Sequence, residues 1–470
     1  MRAWRPKVKS DYSRSAIAKR WVFLLLPTRL SVFLFRTFLD SNRERNTLEA
    51  AKFLIDTANI YPSKLFWLQP KFLRFSLALG GSNLPKSYIQ FLSKSLLTTR
   101  RDPSQRRGVR EAVLGATKLL DHSSTSAHSW KMISLALSGF GFVRAGTIAR
   151  NNCLKQACEE VSAGVATNRT LHLAIRGLLE ARRFDEAKKV IDEKLRQLSG
   201  DSEIDIYRHY LALMAQTPLT ISQDNNQPIE PAEKIFEDLV TDKTVALIAP
   251  GVMNSESGAD IDAHDTVFRI KYNGRSAMPE EKFVGRRCDI TSHNSDLLSF
   301  AQIDSTKSQE MFQDAPDLKL IVAKRGSFGG LLGLPSHTMR MWPPTFLTTG
   351  TSGTLSIFEV VLSSPKKLSL FGFDFYTNKA IYNTALLHIY QSSVRPDGAL
   401  PNELSWDQNQ FATHSVARSH ISHDLKSDFL FVKNLYELSG LIDGTPEVLE
   451  ILNLTADEYD MRLEEVLGDW

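Results

Sequence analysis

From Thr244 onward the chain alternates short apolar runs with helical stretches, and no other feature narrows the fold as far. Thr244-Val-Ala-Leu-Ile-Ala-Pro-Gly251, Asp265–Ile270, Arg287–Thr291, Leu318–Val322, Phe346-Leu-Thr348 and Leu368–Phe373 read as strands, several of them closed by glycine, proline or aspartate. Continuous apolar runs belong to strands covered on both faces, and helices between them supply the cover. The pattern predicts a doubly wound, mostly parallel sheet.

Within this region Thr348–Tyr382 carries the strongest local signal. Leu355, Phe358 and Leu362 recur at helical spacing, with Ile357 and Val361 on a neighbouring line. Ser364-Pro365 ends that helix, because proline lacks the N–H to continue it. The small-residue loop before it, Thr-Thr-Gly-Thr-Ser-Gly353, opens onto the helix start, where unbonded N–H groups and the positive dipole end favour a carboxylate or phosphate. The following strand leads to Gly372, Asp374, Tyr376 and Tyr382, where α/β proteins place ligand contacts. An ordinary αβ unit with no site would read the same way, so the stretch alone does not decide function.

Residues 40–215 read as helical. Leu171, Ile175 and Leu178 mark one helix, Arg182-Arg183 a turn, and Phe184, Ala187 and Ile191 the next. This resembles a tetratricopeptide-like helical hairpin. Trp130–Ala149 repeats it loosely. Gln216–Glu230 is polar and proline-containing and reads as a linker. The expected organisation is therefore a basic segment (1–39), an all-α helical-repeat-like domain (40–215), a linker (216–242) and the α/β domain (243–470), with a closing amphipathic piece from Leu449 to Leu467.

The net charge of +4 hides an asymmetry: residues 1–120 hold 23 Lys/Arg against 7 Asp/Glu, of 57 and 53 in the whole chain. Such a region favours anionic partners. Its cations are scattered among Trp, Phe and Leu without a nucleic-acid fold signature, so the region reads either as a solvated basic face or as a peripheral contact with the inner face of a membrane, and not as a nucleic-acid site. Trp21–Leu39 is the one spanning candidate. Pro27, Arg29 and Arg36 make it an amphipathic or buried helix instead. The three cysteines have no CxxC spacing and suggest a reducing, cytoplasmic setting.

Four clusters offer chemistry. The turn Pro250–Gly258, with Gly251 and Asn254, is neither a GxGxxG nor a P-loop sequence. Asp260-Ile-Asp262 has the form of a metal-holding D-x-D, and equally that of a helix start. Gly326–Gly333 reads as a lid or a plain loop. His414, His420 and His423 lie too far apart for a zinc set. His423 is the better candidate for a general base, with Asp424 or Asp428 to orient it.

Thr351-Ser-Gly353, Gly372-Phe-Asp-Phe-Tyr376-Thr-Asn378, Tyr382, Val267-Phe-Arg269, Val284-Gly-Arg-Arg-Cys288 and His423-x4-Asp428 occur in the order in which similar motifs occur in the bacterial sialyltransferases of glycosyltransferase family 42. The chain resembles that family over roughly 243–437. A looser likeness to the family 29 sialylmotifs lacks both cysteines of their disulfide. The resemblance implies a Rossmann-like, GT-A-like fold and a metal-independent inverting transfer of sialic acid from CMP-sialic acid to a glycan hydroxyl, with no cofactor. It implies that Tyr376 and Tyr382 bond the departing phosphate and that His423 is the base. It also places the donor on Asn294, Ser352 and Gly353, and the candidate donor contacts taken with them are Gly251, Asn254, Arg269, Lys271, Asn273, Thr351, Gly372 and Asp374.

The chain departs from the pattern at Pro250-Gly251, where the family has Gly-Asn-Gly, at Lys271 for an asparagine, and at Thr349 for an arginine. These departures leave open another CMP-activated acid sugar, or a helical-repeat interaction protein with an inactive transferase domain. A protein partner on the helical region and a glycan or glycolipid acceptor complete the expected partners.

Overall fold

The computed structural model describes residues 69–79, 84–120, 125–194, 203–216, 230–251, 253, 255–272, 274, 280–293, 312–313, 315–324, 333–378 and 423–468. Asn254, Asn273, Asn294, Tyr382, His414, His420, the basic segment 1–39 and most of the loop 326–333 lie outside them. The chain forms two compact units, divided between Gln156 and Ala157. That division falls inside a helix, well before the expected linker.

The described residues of the first unit are helical: α1 (Gln69–Leu79), α2 (Lys86–Arg101), α3 (Arg106–Lys118), α4 (Ala127–Gly139) and the start of α5 (Val143–Ser162). Phe72, Leu92, Trp130 and Ile133 are buried among them. Ser126 caps α4 by accepting from the Ser129 amide, and Ser134 Oγ of α4 donates to Gly146 O of α5 at 2.7 Å. Gly146 permits that approach, since a Cβ there would meet Ser138 Oγ at 2.1 Å.

The second unit is α/β. Helices α6 (Asn168–Glu180), α7 (Phe184–Lys194) and α8 (Glu203–Met214) precede α9 (Pro231–Val240). The α6–α7 pair meets across the Arg182-Arg183 turn, with Ala187 fully buried. Part of the expected linker is thus helix: Pro231 opens α9, where its missing N–H costs nothing. The strands are β1 (Thr244–Ile248), β2 (Thr266–Ile270), β3 (Ile290–His293), β4 (Leu320–Ala323), β5 (Ser336–Thr338), β6 (Lys367–Phe371) and β7 (Ile442–Gly444). They form one all-parallel sheet in the order β5-β4-β3-β2-β1-β6-β7. Between them run α10 (Gly258–Asp262), α11 (Glu281–Val284), α12 (Ser352–Leu362) and α13 (Leu425–Ser439), and α14 (Pro446–Leu452) and α15 (Ala456–Gly468) follow β7. The parallel, Rossmann-like sheet agrees with the sequence pattern.

Three details differ from expectation. Phe346-Leu-Thr348 is not a strand, because its amides bond side chains of the α13 region: Phe346 N donates to Ser427 Oγ at 2.9 Å and Leu347 N to Asp424 Oδ2 at 3.1 Å. The short strands β5 and β7 replace it. The closing amphipathic piece is two helices, broken at Asn453–Thr455.

At the N-terminal edge of the sheet, buried Asp289 accepts from Val267 N, Arg287 and Lys319, tying β2, β3 and β4 together. The helices on α13 belong to this unit by specific bonds. Glu180 accepts from Ser427 Oγ, Arg182 Nε donates to Asn434 Oδ1, and Tyr210 stacks on Phe431 at 5.3 Å. Among the described residues no helix is long and apolar enough to cross a membrane.

Candidate functional site

The strand order reverses between β1 and β6: after β1 the chain builds outward through β5, then returns to the other side of β1. At such a point the loops leaving neighbouring strands run apart and open a crevice beyond the carboxyl ends. An open cleft of about 600 Å³, solvent included, lies there. Ala249, Pro250 and Gly251 follow β1, Ile270 ends β2 and Lys271 follows it, and Gly372 to Tyr376 follow β6. The first turn of α12 (Thr351–Thr354) and Asp428 of α13 complete it.

The floor of the cleft requires glycine. A Cβ on Gly251 would meet Gly372 O at 2.1 Å, and Gly372 has φ +68 with Ala249 O 2.8 Å from an added Cβ. Backbone faces backbone at this contact, so neither side can yield by a rotamer change. Gly251→Ala is expected to destabilise the protein by roughly 1–3 kcal/mol, as overpacking does. Gly115→Ala, in α3 with nothing within 4 Å, is the control expected to stabilise slightly. Thermal unfolding of the two variants checks both signs.

Backbone strain also gathers here. Non-glycine residues with positive φ include Arg182, Gln216, Asp242 and Ser364, all at helix C-terminal ends where the left-handed conformation is routine. Lys271 (φ 56), Phe375 (φ 45) and Tyr376 (φ 63) instead follow strands and line the cleft. Such residues cost free energy and persist where the surrounding structure holds them, which marks functional sites. Tyr376 is held by its amide, which donates to Asp374 Oδ1 at 3.0 Å, and Tyr459 Oη donates to Phe375 O at 3.0 Å. Burial pushes the Asp374 carboxyl up to about 6.

The α12 N-terminus is built by two elements. Thr351 is its N-cap residue, without a side-chain capping bond of its own. The Thr351 amide instead donates to both oxygens of buried Asp428, at 3.2 and 3.1 Å. The amides of Ser352, Gly353 and Thr354 have no acceptor among the described residues. Gly353 is again a close approach, 3.1 Å from Phe373 Cε1 for an added Cβ.

His423 stands just before α13. Its Nδ1 is 3.1 Å from Thr349 O. A carbonyl only accepts, so Nδ1 carries a proton, and in the neutral ring the lone pair lies on Nε2. The orienting group is thus this backbone carbonyl. The expected orienter Asp424 caps α13 through Ser427 N and bonds Leu347 N, and Asp428 serves Thr351.

Of the sequence-predicted residues, the cleft brings together Gly251, Lys271, Thr351, Ser352, Gly353, Gly372, Asp374 and Tyr376. His423 sits beside it through Thr349. Arg269 is not in the lining; it is buried and donates to Val284 O and Arg287 O, bracing α11. Asp262 accepts from the amides of Arg286 and Arg287, and among the described residues no three His, Cys, Asp or Glu side chains converge to hold a metal.

Sequence reasoning missed Phe373 and Phe375 in the lining and the true partner of Asp428. A signal for the latter existed: Asp428 lies on the apolar stripe Leu425, Phe429, Val432 and Leu435 of α13, where an ionisable group needs a reason. Comparison with protein-family models and with curated proteins finds no match.

Proposed function

We propose that the protein is an inverting glycosyltransferase that moves sialic acid, or a related nonulosonic acid, from a CMP-activated donor to a glycan hydroxyl. One observation carries the reading: the amides of the α12 first turn, which have no acceptor among the described residues, converge with Lys271 and Tyr376 in a single cleft at the strand-order reversal. A CMP-activated acid sugar presents two anions, a phosphodiester and a carboxylate, and these groups suit both. In the reaction, His423 Nε2 takes the proton of the acceptor hydroxyl as its oxygen bonds the anomeric carbon. The bond from that carbon to the phosphate oxygen breaks, and the electron pair leaves with CMP. Tyr376 donates a hydrogen bond to the phosphate as its charge grows, and Tyr382 is proposed as its partner from the sequence motif. The resemblance to family 42 supports the same roles. The cysteine usage and the basic first quarter favour a cytoplasmic protein at the inner membrane face.

The carboxyls of Asp374 and Asp428 in the same cleft favour a second reading, an interaction protein with an inactive transferase domain. Incubation with CMP-sialic acid and a panel of sugar acceptors separates the two. Acceptor-dependent CMP release, and a rise in melting temperature with CMP alone, are the expected results. Absence of both would establish the second reading.

A further inference from the structure

Among the described residues, Asp428 is the one side chain of the cleft that reaches it from α13, the helix whose N-terminus adjoins His423. It is 2% exposed. Both carboxylate oxygens accept from the Thr351 amide, and the hydroxyls of Thr354 and Thr351 also bond it. Gly350 is tight against it, with Asp428 Oδ1 2.9 Å from where a Cβ would stand. The turn that opens α12 is therefore fixed from below by this carboxyl and not by a capping side chain of its own.

We infer that Asp428 is a positioning residue for donor binding: it pins Thr351 so that the next three amides stay available to an anion, and its own charge opposes that anion. The inference rests on the glycosyltransferase reading. A carboxylate bound at a helix N-terminus competes with any anion for the same dipole and the same field. Protonated, Asp428 still anchors the turn and its opposition is gone. Burial pushes its carboxyl up to about 7, so both states are reached near neutrality.

The groups around it are Asp424 on the same helix, Tyr459 of α15, Asp374 after β6, Lys271 after β2 and His423 ahead of α13. Asp460, which also acts on Tyr459, is paired with Lys426 at 2.6 Å. Asp374, pushed up to about 6, ionises at the low end of the tested pH range in wild type and Asp428→Asn alike, so the difference between the two reports on Asp428. His423, as the base, acts on kcat and not on donor KM.

The donor KM of the full chain, followed by acceptor-dependent CMP release between pH 6 and 8.5, tests the inference with Asp428→Asn and Asp428→Ala. Donor phosphodiester and carboxylate keep constant charge over this range. Wild type is expected to show a KM that rises on the order of tenfold across it, the effect of one partly buried unit charge on another. Asp428→Asn, which keeps an acceptor for Thr351 but cannot ionise, should hold the low value throughout. Asp428→Ala should be weak at every pH.

Stability separates positioning from folding. The proton on Asp428 contributes stability that is fully present below the unfolded carboxyl range and lost as pH rises through about 7. Asp428→Asn should therefore melt at or above wild type at pH 8.5. Coincident KM profiles for wild type and Asp428→Asn, or a wild-type KM that does not change with pH, would overturn the inference alone. A wild type that releases no CMP would overturn the functional reading and the inference together.

Discussion

Replacing His423 by alanine is expected to lower acceptor-dependent CMP release by about 10²–10⁴-fold, the range for loss of a positioned general base. The donor KM should stay within about threefold of wild type, because His423 does not line the cleft that the donor is proposed to fill. The expectation follows from the ring's placement. Nδ1 is committed to Thr349 O, two residues ahead of the α12 N-cap, so the ring is held beside the donor turn through a backbone carbonyl. The bond from Thr349 also couples base and donor turn into one rigid segment, since Thr351 is pinned two residues later by Asp428. A steady-state comparison at saturating acceptor checks the split between kcat and KM. Equal rates for wild type and His423→Ala would remove His423 from the mechanism.

The parts of this protein that were legible in its sequence are those decided by local pattern. Val245–Ile248 and Leu320–Val322 are uninterrupted apolar runs, and each is a fully covered parallel strand. The α12 helix and its stop at Ser364-Pro365 follow from apolar spacing and proline chemistry alone. The short strands escaped for the opposite reason. Ser336-His-Thr338 has no apolar run, and its pairing comes from β4 backbone and the buried His337 contact, neither of which is local. Phe346–Thr348 failed in the other direction. Its apolar residues are buried as a strand's would be, yet Ser427 and Asp424 take the amides that a neighbouring strand would have needed.

The candidate site was legible as residue types and illegible as partnerships. Ser352-Gly353 and Tyr376 meet in the cleft because the strand order brings the ends of β1, β2 and β6 together; the strand pattern implied a parallel sheet but not that order. Arg269 sits in a strand at the right position, but the carbonyls of Val284 and Arg287 hold its guanidinium away from the lining. Which acid serves which helix end depends on how α13 crosses α12, and no spacing within one helix encodes that crossing. The same limit explains why Asp428, read as a partner for His423, belongs to Thr351.

Glu359→Ala is expected to cost about 3–5 kcal/mol, the penalty for opening a buried ion-pair network from one side. Glu359 is fully buried on α12, eight residues or ~12 Å along the helix from the first turn that lines the cleft. Its Oε1 accepts from His337 Nε2 at 2.9 Å and Arg340 Nε at 2.7 Å, and its Oε2 from Arg340 N at 3.0 Å. Arg340 in turn donates to Ser363 Oγ at 2.6 Å, and Phe236 stacks on His337 with ring centres 5.0 Å apart. Burial alone would push the Glu359 carboxyl up. His337 and Arg340 reverse that and hold it below the usual carboxylate range. A depressed carboxyl contributes stability above the unfolded carboxyl range and loses it as pH falls through the folded value. The difference between wild type and Glu359→Ala should therefore be largest near neutrality, a melting-temperature drop on the order of 10 °C, and should shrink in acid. Glu359→Gln, which keeps acceptor oxygen but not charge, should fall between the two. A Glu359→Ala variant melting within about 2 °C of wild type at pH 7 would mean that Arg340 finds replacement partners in Glu233 and Glu237, already 3.8 and 3.5 Å from its Nη1. The α12 helix would then owe its seat to its apolar faces, Leu355, Phe358 and Val361, and the donor turn at its start would not depend on the charged network at its end.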